Sequence, residues 1–109
     1  MRVKFNPPQR RAKLDRVSAI SVLFCVVDQA YRNKGHDPVI TSGTDGKHSA
    51  TSLHYAGAAW DFGVHGISED DRAAIAGDIN TRLGTDFDVI YEGAGTPNAH
   101  IHVEWQPRG

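Results

Sequence analysis

His100-Ile101-His102-Val103-Glu104-Trp105 is the stretch whose reading decides the fold. Polar and apolar side chains alternate along it, and a strand sends successive side chains to opposite faces. His100, His102 and Glu104 therefore share one face, and Ile101, Val103 and Trp105 the other. The segment Ala58-Ala59-Trp60-Asp61-Phe62-Gly63-Val64 behaves in the same way. Its Asp61 lies on one face, with Trp60, Phe62 and Val64 opposite. Two such strands predict a sheet with an apolar face on a core and a polar face that carries the functional side chains.

The remaining elements follow from periodicity and end signals. From Lys13 to Asn33 the residues Leu14, Val17, Ile20, Phe24, Val27 and Tyr31 recur at three- and four-residue steps, which predicts a helix. Val22, Leu23, Cys25 and Val26 broaden its stripe, so the middle is expected to be covered on most sides. Gly35 and Pro38 close it. Val39-Ile40-Thr41 reads as a short strand, and Ser42 to Ser52 as a polar loop of the length that usually carries function. Ser68 and Asp71 form a capping-box-like pair that opens a second helix, which Gly84 ends. Phe87 to Tyr91 and Ala99 to Trp105 are the last two strands, joined by Gly93-Ala94-Gly95-Thr96-Pro97-Asn98 as a hairpin loop. The predicted class is α+β, a small, largely antiparallel sheet with two helices on one face. The organisation is an extended basic lead-in over 1–12 and one domain over 13–109.

Composition narrows the function. The chain has 109 residues, 39% hydrophobic and 23% charged, with a net charge of -1. That balance gives no pull toward nucleic acid or an anionic membrane. The basic residues near the start (Arg2, Lys4, Arg10, Arg11, Lys13, Arg16) read as a solvated lead-in. Cys25 is the only cysteine, so no internal disulfide forms, and its apolar surroundings predict a buried, inert thiol. The run Ile20 to Val27 is too short to span a bilayer, and no small-residue cleavage site follows it. No signal peptide or membrane insertion is expected, and synthesis in the cytoplasm is.

Two short stretches hold His54, Asp61 and His102. Two neutral imidazoles and one carboxylate are a common donor set for catalytic zinc, whose fourth tetrahedral position is left for water. At these residues the chain resembles the zinc D-Ala-D-Ala peptidase and hedgehog superfamily. Ser52, His54, Gly57, Ala59 and Asp61 fill every position of that family's first signature, and His100 and His102 fill its His-x-His pair. The likeness is nearest to hedgehog-type domains and spans about Val39 to Trp105.

The resemblance implies that His54, Asp61 and His102 bind Zn2+ and that His100 lines the site and steadies an oxyanion or water. It implies that Glu92 is the catalytic carboxylate, although Ala99 stands where bacterial carboxypeptidases place an acid. The segment from Glu92 to His102 is also longer than in hedgehog, so Glu92 faces the site only if the extra residues form a hairpin tip. The family's substrate-binding arginine is replaced by Ser42-Gly43-Thr44-Asp45. Lys47 or Arg32 are then candidates for a substrate carboxylate. His48 matches the family near the site. Glu104 shares the histidine face and can hydrogen-bond a metal-bound imidazole. Asp45 is read as a turn residue beside Gly46, His36 and His65 as surface residues, and Trp60, Phe62, Tyr91 and Trp105 as core or cleft wall.

The activity implied is zinc-dependent hydrolysis of an amide bond in peptidoglycan stem peptides, of the D,D-carboxypeptidase or L-Ala-D-Glu endopeptidase type. A chain of this size suits a phage endolysin that acts in the periplasm or cell wall after release. The alternative is a non-catalytic, zinc-containing binding module like hedgehog itself, since a fold does not settle a function.

Overall fold

The computed structural model describes residues 14–43 and 58–107. Two helices and four strands follow one another as α1 (Arg16–Arg32), β1 (Ile40–Gly43), β2 (Ala59–Gly63), α2 (Glu69–Leu83), β3 (Phe87–Glu92) and β4 (His100–Trp105). The strands form one sheet in the order β1-β2-β4-β3, and each neighbouring pair is antiparallel. The class is α+β, as the alternation in β2 and β4 predicts. The basic lead-in and most of the loop after Ser42 lie outside the described residues.

Both helices start at capping side chains. Asp15 accepts from the Ser18 N–H at 2.7 Å, and Ser68 accepts from the Asp71 N–H at 3.2 Å. Glu69, Asp70 and Asp71 then place negative charge at the positive end of α2. Asn33 caps the end of α1, and the turn beyond it passes through Gly35 at φ +81°, which a side chain would strain.

The strand phase is as expected. Phe62, Val64, Ile101, Val103 and Trp105 are buried, against Leu23, Val27 and Tyr31 of α1 and Ile75, Ile79 and Leu83 of α2. Trp60 is half-buried at the border, edge-on to Phe24 at 4.9 Å. Gly43 leaves room for that indole, because a Cβ there would meet Trp60 Cδ1 at 2.5 Å. Each fully buried aliphatic side chain contributes roughly 1.5–3 kcal/mol. Tyr31 is covered completely and donates its hydroxyl to the Gly63 carbonyl at 3.0 Å, tying α1 to β2. Burial pushes its phenol above the ordinary value.

The phase of α1 differs from the sequence reading. Its buried residues are Ala19, Leu23, Val27, Ala30 and Tyr31, whereas Leu14 and Val17 face outward. Cys25 is exposed rather than buried. Val22 to Val27 are apolar without interruption, so spacing alone does not select a face. Contact with α2 and β4 does.

Candidate metal centre

The open face of the sheet is built by register. Across β2 and β4, Asp61 lies opposite His102 and Gly63 opposite His100. Across β3 and β4, Glu92 lies opposite His100, Ile90 opposite His102 and Asp88 opposite Glu104. Side chains directly opposite one another sit about 4.5–5.5 Å apart at Cβ, so the polar groups of three strands converge.

The hairpin brings Glu92 in. Thr96 N–H bonds to the Gly93 carbonyl at 3.0 Å, and the Thr96 hydroxyl donates to the same carbonyl at 2.7 Å. Gly93 and Gly95 both take positive φ, and a Cβ on Gly93 would sit 3.0 Å from the Asn98 carbonyl oxygen. The extra residues are thus a longer hairpin tip, and Glu92 keeps the site face.

Contacts within the site are short. His102 has Nδ1 at 2.7 Å from Asp61 Oδ1 and Nε2 at 3.0 Å from Glu104 Oε1. His100 has Nε2 at 2.9 Å from Glu92 Oε1 and 3.7 Å from Asp61 Oδ1, and its Nδ1 is 2.8 Å from the Asn98 carbonyl oxygen. Gln106 donates to the second oxygen of Glu104 at 3.1 Å. Side chains of His100, His102, Asp61 and Glu104 are only 20–24% exposed, while Glu92 is 49% exposed.

These distances constrain protonation. Carbonyl and carboxylate oxygens only accept, so a ring nitrogen beside one must carry hydrogen or face a cation. Both nitrogens of both rings stand beside such oxygens. His100 is held above its ordinary pKa by the Asn98 carbonyl first, then by Glu92 and Asp61, against a desolvation that opposes it. For His102 burial is the largest influence and opposes charge, but Glu104 and Asp61 together outweigh it, and its pKa is also raised.

The same arrangement suits a metal. If the Nε2–H of His102 donates to Glu104, the Nδ1 lone pair and Asp61 Oδ1 face a common point, where two acceptors repel unless a cation joins them. An imidazole that ligates through one nitrogen and donates to a carboxylate through the other is the usual zinc pattern. The donor chemistry of Asp61 and His102 therefore fits zinc. His54, the third expected ligand, lies outside the described residues, as do His48 and Lys47. Arg32 is engaged by Asp28 at 3.0 Å and Asp37 at 3.3 Å.

Ser42 is a site residue that sequence reading missed. A register irregularity between Ile40 and Ser42 turns its hydroxyl to Asp61 Oδ2 at 3.3 Å. Bulges commonly re-aim side chains beside active sites, but only the pairing register reveals one. Comparison of the chain with protein-family models, curated proteins and solved structures finds no match.

Proposed function

We propose that this chain is a zinc metallopeptidase that hydrolyses an amide bond in peptidoglycan stem peptides. The observation that carries the reading is the unbroken row Glu92–His100–Asp61–His102–Glu104. It joins a half-exposed carboxylate, a histidine bonded to it and a metal-compatible pair on one face of the sheet. The two motifs that resemble the zinc D-Ala-D-Ala peptidase and hedgehog superfamily support it. Asp61, His102 and His54 would hold the metal. When bound, zinc supplies Lewis acidity and a water acidic enough to ionise near pH 7.

The chain's own groups handle the proton. Glu92 takes a proton from the attacking water as its oxygen bonds to the carbonyl carbon. It then returns that proton to the amine nitrogen as the C–N bond breaks, so one carboxylate acts as base and then acid. His100, held through Nδ1 at the Asn98 carbonyl, bonds Glu92 through Nε2 and so orients that carboxylate for the proton transfer. Glu104 holds the His102 ring in the tautomer that leaves Nδ1 free. No helix among the described residues is long and apolar enough to cross a membrane.

Mass spectrometry of purified muropeptides after incubation with the zinc-loaded protein tests the reading. Two fragments whose masses sum to substrate plus water are expected. Unchanged muropeptides with a folded, zinc-loaded protein would instead favour the non-catalytic binding module.

A further inference from the structure

Gly63 is the register partner of His100, so the β2 side of that histidine carries no side chain, whereas Glu92 fills the β3 side. Gly63 itself lines two adjoining cavities, which share Thr41, Gly63 and His65 in their walls. One, of about 160 Å³, continues under Pro97 and Ala99 to Arg72; the other, of about 290 Å³, continues along Val39 and Ile67 to His36. Small-molecule sites start near 300 Å³, so this groove suits a short extended segment and not a folded partner.

The lining selects an anion. Arg72, His65 and His36 bring donors to the groove, and the one acid among the described residues of its walls, Asp37, is already paired with Arg32 at 3.3 Å. Arg72 is pinned: its Nε donates to the Ile67 carbonyl at 2.7 Å, and its Nη1 reaches Glu69 and the Tyr91 hydroxyl, each at 2.9 Å. Nη2 has no acceptor among the described residues. Neither imidazole of His36 or His65 has a hydrogen-bond partner there either. A guanidinium fixed by three contacts loses little freedom when a carboxylate arrives. Val39, 60% exposed, and Ile67 give an apolar wall for small side chains. Gly63 keeps the passage open, since even a Cβ would lie 3.1 Å from Thr41 Cγ2.

We propose that the groove from Gly63 to His65, Arg72 and His36 binds a carboxylate-bearing stretch of an extended peptide as the substrate leaves the His100 side of the site. The class of peptide rests on the peptidase reading. The carboxylate can be a chain terminus or an acidic side chain, and three probes separate these sources. They are diacetyl-L-Lys-D-Ala-D-Ala, its C-terminal amide, and N-acetyl-L-Ala-D-Glu amide.

Each probe is titrated into the isotope-labelled full chain while amide shifts are followed by NMR. A free-carboxylate probe should shift Gly63, His65 and Ala99. His65→Asp should weaken it about tenfold or more, because a like charge then faces the ligand. Arg72→Gln should weaken it as well, and Asp70→Asn, outside the groove, should not. Equal binding of acid and amide probes would overturn the proposal, as would shifts that avoid Gly63 and His65. Cleavage without a groove response ends this proposal and leaves the peptidase reading standing. A groove response without any cleavage does the reverse.

Discussion

Replacing Glu104 with glutamine tests the proposed metal centre through a residue that the proposal places beside the ligands. Glu104 accepts from His102 Nε2 at 3.0 Å and is steadied by Gln106 at 3.1 Å. In Glu104→Gln the side chain keeps its shape and one acceptor oxygen but loses its charge. A weaker acceptor holds the Nε2–H tautomer less firmly and leaves Nδ1 less basic toward zinc. Loss of such a partner typically costs 10–100-fold in metal affinity, about 1.4–2.7 kcal/mol. A second effect opposes it. Glu104 also raises the pKa of His102, so its removal makes the ring easier to deprotonate, and metal binds only the deprotonated ring. Proton competition vanishes at high pH. The full loss should therefore show near pH 8 and shrink near pH 6. Chelator competition at the two pH values, with circular dichroism to verify the fold, reads both numbers. Unchanged zinc affinity at pH 8 in a folded Glu104→Gln protein would refute the argument that Glu104 sets the tautomer.

Glu92→Gln should keep zinc and fold yet lose turnover by roughly 10²-fold or more, the scale of a general base; near-normal kcat would remove Glu92 from the mechanism. Without metal, the raised pKa values of His100 and His102 make their protonated forms stabilising. That contribution is complete below the unfolded-state value of about 6.5 and is lost as pH rises through the folded values. Thermal melts of the metal-free protein should thus fall in Tm above about pH 6.5, while the gain from added zinc grows; a flat metal-free profile there would contradict the protonation assigned to the rings. Leu23→Ala should cost about 2–5 kcal/mol, whereas Cys25→Ser should stay within about 0.5 kcal/mol. Denaturant midpoints would expose a wrong helix phase by reversing that order.

The strands of this protein are legible in its sequence because a period of two admits only two phases, and the polar residues of β2 and β4 choose between them. Alternation alone therefore assigns Asp61, His100, His102 and Glu104 to one face. Helix ends are legible too, where a side chain such as Ser68 caps locally. The face of α1 is not, since six consecutive apolar residues satisfy every phase and only packing against α2 and β4 distinguishes Leu23 from Cys25. Ser42 and the Gly63 groove are equally hidden. One depends on an irregular register between β1 and β2, and the other on the absence of a side chain opposite His100. Glu92 stands between the two cases: its chemistry is readable, but its approach to His100 requires the hairpin to close in register. Local alternation thus sets which residues can share a face, and only long-range strand pairing decides which of them touch.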